Sequence, residues 1–240
     1  MMRTIVVLAV CLSGTVCGQP ATSPRFEVAS VKPIDADPGS SGIKTGRGRL
    51  TANNVTLKRC IMGAYHVGRN QIVGGPDWLD SDRFEISAKA EQPADDDELF
   101  MKMLQTLLAE RFKLAFRRET RTMAAYVLET AKNGPKLEKA KAEEGMTNSG
   151  RGRLDARNST MDHLAEVLSR QMDLPVVNRT GLEGGFNLKL EWTPESAKPS
   201  TDAGPSIFTA LQEQLGLRLR TQKVSVEVFV IDRAERPVAN

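Results

Sequence analysis

One stretch of this chain is written twice. Gly46-Arg47-Gly48-Arg49-Leu50-Thr51-Ala52-Asn53-Asn54-Val55-Thr56 returns 104 residues later as Gly150-Arg151-Gly152-Arg153-Leu154-Asp155-Ala156-Arg157-Asn158-Ser159-Thr160, with eight of eleven positions identical. Coincidence explains this poorly, so a unit of about one hundred residues reads as duplicated. Each copy then helps to interpret the other. A residue with special chemistry in one copy and an apolar counterpart in the other reads as core.

Hydrophobic periodicity fills in the unit. Phe26 to Lys32 alternates as a strand ended by Pro33, and 34–46, rich in Gly, Ser, Pro and Asp, reads as a loop. Arg47 to Val55 predicts a strand. Thr56 then caps a helix whose apolar residues Leu57, Cys60, Ile61, Ala64 and Tyr65 share one face. A short strand at 71–73, an alternating strand through Phe84, Ile86 and Ala88, and a helix from Leu99 to Arg111 follow. Asp95 to Glu98 meet the positive end of that helix's dipole. Lys113–Arg118 and Tyr126–Thr130 read as two closing strands in a hairpin. The second copy repeats the order, with a helix at 160–172, an alternating strand 186–192, a helix at 206–215 and closing strands 217–220 and 224–231.

The expected fold is therefore α+β: two tandem copies of a β-α-β-β-α-β-β unit, with helices packed on mixed sheets. The expected divisions are a signal peptide (1–18), an N-terminal strand and loop (19–46), a first repeat (47–134), a linker (135–149) and a second repeat (150–237).

The amino terminus predicts export. Arg3 precedes an apolar run, Ile5 to Leu12, and Val16-Cys17-Gly18 suits cleavage after Gly18. The competing possibility is a lipoprotein anchored at Cys17, against which stands Val16, not a small residue. Cleavage after Gly18 leaves Cys60 as the one thiol, so no internal disulfide is expected. The expected location is extracytoplasmic, periplasmic or secreted, with a membrane contact only through an N-terminal tether.

Few residues carry chemistry on sequence grounds. Cys60 aligns with Leu164 and reads as buried packing. His66 and His163 do not align with each other, His163 aligns with Arg59, and no metal-ligand spacing appears. No metal, no cofactor and no catalytic constellation is expected. The Gly-Arg-Gly-Arg turns make Arg47, Arg49, Arg151 and Arg153 candidate anion-binding residues, because glycine lets backbone N–H groups approach and arginine forks oxyanions. Arg117, Arg118, Arg218 and Arg220 could extend such a patch. The structural alternative is a turn with solvated arginines. Trp78 aligns with Leu182 and reads as packing, as does Trp192. Asn54, Asn158 and Asn178 lie in Asn-X-Thr sequons, and the first two suit helix capping. Asp77, Asp80, Asp82 and Glu85 cluster in sequence and could serve a hydrolase acting on glycosidic bonds. A formal net charge of +3 and few aromatic residues disfavour a nucleic-acid partner.

Several phrases carry a resemblance: Phe-Glu-Val-Ala-Ser-Val-Lys-Pro (26–33), Gly-Gly-Pro-Asp-Trp-Leu (74–79), Leu-Leu-Ala-Glu-Arg-Phe-Lys-Leu (107–114), Gly-Pro-Ser-Ile-Phe-Thr-Ala-Leu-Gln-Glu-Gln-Leu-Gly-Leu (204–217) and Val-Ile-Asp-Arg-Ala-Glu-Arg-Pro (230–237). The chain resembles a family of uncharacterised secreted proteins expanded in soil acidobacteria, a domain of unknown function. Some relatives look fused to membrane sensor-peptidase proteins that regulate antibiotic resistance, which implies an extracytoplasmic sensing or binding role. The element order, with Leu-Gly-Leu-Arg-Leu-Arg at 215–220, is also similar to the short N-terminal domains of secretins and TonB-dependent receptors. That likeness implies a protein-interaction module. The expected function is an extracytoplasmic binding or interaction module, meeting an envelope protein or peptide through sheet edges. The alternatives are a secreted hydrolase with an unrecognised carboxylate site, or an anion-binding protein using the Gly-Arg-Gly-Arg turns.

Overall fold

Alternation of buried and exposed side chains sets the strands, and side-chain caps from Thr56, Asp96, Thr160 and Ser206 set the helices. A computed structural model describes residues 23–35, 39–92, 96–141, 145–150, 152–194 and 204–238. The predicted export signal, Arg151 and most of the Pro/Ser-rich stretch before 204 lie outside the described residues. In chain order the strands are β1 (Val28–Ile34), β2 (Gly42–Gly46), β3 (Arg49–Val55), β4 (Ile72–Gly74), β5 (Arg83–Lys89), β6 (Ala115–Thr130), β7 (Glu138–Lys139), β8 (Met146–Gly150), β9 (Arg153–Ser159), β10 (Val176–Asn178), β11 (Phe186–Glu191) and β12 (Leu217–Arg233). The helices are α1 (Leu57–Ala64), α2 (Asp97–Arg111), α3 (Met161–Ser169) and the short α4 (Ile207–Ala210), which runs on into a wider π turn over Leu211–Leu215. The fold is α+β, as the periodicity predicts.

Three four-stranded sheets result, ordered β1-β5-β3-β2, β10-β6-β12-β4 and β7-β11-β9-β8. The first and third correspond strand for strand. β3 and β9 bury the same positions, Leu50, Ala52 and Val55 against Leu154, Ala156 and Ser159. Each carries a bulge against its partner, because two residues (53–54, 157–158) face one. The bulge explains Asn54 and Asn158, whose φ values are 52° and 48°. Asparagine tolerates this left-handed backbone. They are therefore bulge residues rather than helix caps. The caps are Thr56, accepting from the Arg59 amide at 3.1 Å, and Thr160, accepting from the His163 amide at 3.2 Å.

The Gly-Arg-Gly-Arg motif is a hairpin turn. Gly46 pairs with Arg49, so Arg47 and Gly48 form a two-residue loop with φ of 51° and 71°. Two positive φ values mark the turn whose twist matches adjoining antiparallel strands. Gly150 pairs with Arg153 in the same way, and Gly152 has φ 76°.

Several expectations change. The stretch 34–46 holds β2, and the stretch 135–149 holds β7 and β8. Pro33 lies inside β1, tolerated because β1 is an edge strand. Each pair of closing strands is one long strand, β6 or β12, and the two pair with each other from Leu217↔Thr130 to Arg233↔Ala115. The intervening residues continue the β pattern, so neither closing pair folds into a hairpin of its own.

The central sheet interleaves the halves. β4 lies parallel to β12 and β10 parallel to β6, so each short strand docks on the long strand of the other half. One core gathers Leu50, Ile61, Ile86 and Phe100 together with Phe229 and Ile231 of β12. The other gathers Leu154, Leu164 and Leu188 together with Leu128 of β6. The sequence boundaries 47–134 and 150–237 are thus crossed by both cores.

Candidate functional site

The interleaving brings α1 and α3 close at their carboxyl ends. Gly68 makes this possible: a Cβ there would sit 2.6 Å from the Ser169 carbonyl oxygen. Asn70 also hydrogen-bonds the Asp173 carbonyl across the same seam. Beside the seam a groove of about 1130 Å³ opens between the halves.

Edge strands β2 and β8 border this groove, through residues such as Ile43, Thr45, Thr147 and Ser149. Its floor carries Arg59 and His66 from α1 and the turn after it, and His163 and Arg170 from α3 and its end. These four side chains are related in pairs. Arg59 and His163 lie 104 residues apart, as do His66 and Arg170. Each half offers one arginine and one histidine in opposite order. Arg157 lines the groove from the β9 bulge.

One polar contact constrains the His66 ring. Arg170 donates to Nδ1 of His66 at 3.3 Å. A guanidinium only donates, so Nδ1 is the bare nitrogen and the ring proton sits on Nε2. Nε2 lies 3.3 Å from a Glu98 carboxylate oxygen, outside hydrogen-bond geometry. His163 meets the Thr147 hydroxyl at 3.1 Å and Glu166 at 3.6 Å. Burial lowers the Arg170 pKa from its ordinary value, Glu166 opposes that shift, and neighbouring Arg59 adds to it.

Acidic residues of α2 form the facing wall, each already engaged. Asp96 caps α2 by accepting from the Glu98 and Leu99 amides at 3.0 and 3.2 Å. Asp97 accepts from the Thr45 hydroxyl. Glu98 faces His66. By contrast, among the described residues neither Arg59 nor Arg157 has a carboxylate within salt-bridge distance.

A family match spans Lys58 to Ala234, well over half of the chain: protein of unknown function, DUF3738. The chain belongs to the DUF3738 family. Its matched segment holds all five cationic or histidine groups of the groove, whereas β1 to β3 precede it. No curated protein and no solved structure matches the chain.

The arginines expected to bind anions in this DUF3738 chain lie elsewhere. Arg47 is in the hairpin turn, Arg49 is exposed on β3, and Arg153 is exposed and 3.6 Å from Asp155. Arg151 lies outside the described residues. Among the described residues none of the four lines the groove. Of the extension along the closing strands, Arg220 is exposed and the other three arginines are engaged. Arg117 pairs with Glu119 and Asp232, Arg118 with Glu227 at 2.9 Å, and Arg218 with Glu129 at 2.9 Å.

None of the carboxylates considered for hydrolysis lines the groove. Asp80 takes Arg69, Asp82 takes Arg236 at 2.7 Å, and Asp77 and Glu85 are exposed. Cys60 is buried, and burial pushes its thiol up to about 12. Trp78 packs edge-on to Phe84, and Trp192 packs on the second core. Among the described residues no group of three His, Cys, Asp or Glu side chains is placed to hold a metal ion, and no helix is long and apolar enough to cross a membrane.

Sequence reasoning set His163 against Arg59 and read it as surface, but left His66 unmatched, so the groove residues were missed. The signal was present. At the 104-residue offset each histidine faces an arginine, which marks two matching polar positions beside apolar helix faces.

Proposed function

We propose that this DUF3738 protein is a binding module acting outside the cytoplasm, and that it holds an extended peptide segment of an envelope protein in the groove between its halves. One observation carries this reading: two sheets present their edge strands, β2 and β8, to a single groove. An edge strand offers a row of backbone N–H and C=O groups to an added strand. All five residues of β8 are exposed, so backbone pairing there displaces little protein. The predicted export signal and the resemblance to secreted acidobacterial proteins support the location.

A displayed random-peptide library panned against the chain tests the proposal. Selected peptides should slow hydrogen exchange of the β8 or β2 amides. Peptides that protect neither edge, or a library that yields no binder, would count against it.

A further inference from the structure

We infer that the groove contains an oxyanion site, in which a carboxylate or phosphate group is held between Arg59 and Arg170 with Arg157 nearby. This inference deepens the groove reading and rests on it for location. The argument is one of hydrogen-bond partners within a confined space. Two acids lining the groove are held by neutral donors, Asp96 by amides of its own helix and Asp97 by Thr45, while a Glu98 carboxylate oxygen lies 3.3 Å from Nε2 of His66. Among the described residues, Arg59 and Arg157 have no carboxylate within salt-bridge distance, and Arg170 has a His66 ring nitrogen as its hydrogen-bond acceptor, with the Glu166 carboxylate acting on it without a direct contact.

The partly buried Arg170 and the exposed Arg59 line the same groove, and Arg59 adds to the lowering of the Arg170 pKa by burial while Glu166 opposes it. Two guanidinium groups so placed repel each other and gain from an anion between them, more strongly as water is excluded. Ser41 adds a second sign. Its hydroxyl oxygen is buried beside the same groove without a hydrogen-bond partner among the described residues. Buried polar atoms are normally satisfied, so an orphan lining a cleft points to a missing ligand group.

His66 completes the device. Its bare Nδ1 accepts from Arg170, which orients that guanidinium while leaving its remaining N–H donors for a ligand. A carboxylate could come from an acidic peptide side chain or terminus, and a phosphate from a phosphorylated ligand. Both present the paired oxygens that an arginine fork matches.

Sodium phosphate and sodium acetate, titrated separately at constant ionic strength and followed by NMR of the arginine Nε–H signals, test the site on the full chain. At least one anion should shift the Arg59 and Arg170 signals saturably. Saturation by acetate assigns the carboxylate class, and saturation by phosphate alone assigns the phosphate class. R59Q and R157Q replace exposed residues, so their folding is checked by circular dichroism. R59Q should weaken binding at least about tenfold, while R153Q, outside the groove, should leave it unchanged. Absence of saturation with both anions, or equal binding by wild type and R59Q, overturns the oxyanion site. Peptide protection of β8 that persists in R59Q would then leave the groove reading standing, so the two proposals fail separately.

Discussion

His66 and Arg170 stand 104 residues apart at matching positions beyond α1 and α3, and they touch each other at 3.3 Å. Corresponding points in the two halves therefore meet at the seam. The contact requires an unusual backbone, because His66 has φ 54°. Left-handed backbone costs about 1–2 kcal/mol for a residue with a Cβ, more for a β-branched one, and less for asparagine.

That strain yields the first prediction. His66→Val should lower unfolding free energy by about 2–3 kcal/mol through backbone strain and the lost Arg170 contact. His66→Asn should lose about 1 kcal/mol, because asparagine accepts the backbone and only the contact changes. Urea titration of both variants checks the order. Equal stability of the two would mean that the backbone conformation does not matter.

Much of the fold was legible in particular residues. Thr56 announced its helix because a side-chain oxygen before an apolar face has one obvious use. Cys60, opposite Leu164, was legible as core. The edge strands β2 and β8 were not legible, because β8 is exposed at every residue and the half-buried β2 carries a single apolar side chain, Ile43, so neither shows an alternating pattern. The fusion of each closing pair into a single strand was hidden for a related reason. The middle of β6 and β12 is an exposed two-stranded ribbon of charged residues, so hydrophobicity lapses where the backbone pairing continues. The exchange of β4 and β10 between halves leaves no local trace, since either long strand could accept either short one.

Gly68 gives a second prediction. Its φ of −75° suits any residue, so the constraint is space alone. An added Cβ would lie 2.6 Å from the Ser169 carbonyl oxygen, and backbone cannot swing aside as a side chain can. Gly68→Ala should destabilise the chain by about 1–3 kcal/mol through overpacking at the seam. Gly42→Ala, where a Cβ meets nothing within 4 Å, should change stability by no more than about 0.5 kcal/mol. Thermal melts of both variants decide whether the close approach is real.

Cys60 gives a third. Burial raises its thiol from 9.0 to about 12, with Arg59 opposing the shift. Above pH 9 the unfolded chain releases this proton while the folded chain keeps it. The unfolded state then binds fewer protons, so stability attributable to this group falls as pH rises from 9.0 towards 12. The slope within that window is at most about 1.4 kcal/mol per pH unit. Cys60→Ala should flatten the decline, measured by urea titration at pH 8, 9 and 10. In native wild type the thiol should resist maleimide at pH 8 and react once urea unfolds the chain. Rapid native labelling would place Cys60 at the surface and contradict its burial.

The interleaved cores give the last prediction, and it bears on whether the two halves are one folding unit. Phe229 belongs to β12 by sequence but fills the core of the first half, stacked 4.8 Å from Phe116 and with the tilted Tyr65 ring 5.5 Å away. Truncating it removes a buried aromatic ring, which costs about 3–5 kcal/mol. If β6 and β12 tie the cores together, that loss is felt in both. Phe229→Ala should lower protection against hydrogen exchange at the α3 amides as well as the α1 amides, within a single cooperative urea transition. Leu128→Ala, on β6 in the second core, should act reciprocally and weaken α1. A biphasic transition in which one helix keeps wild-type protection would show two independent domains. The groove between them would then lose its fixed geometry, and with it the ground for placing Arg59 beside Arg170.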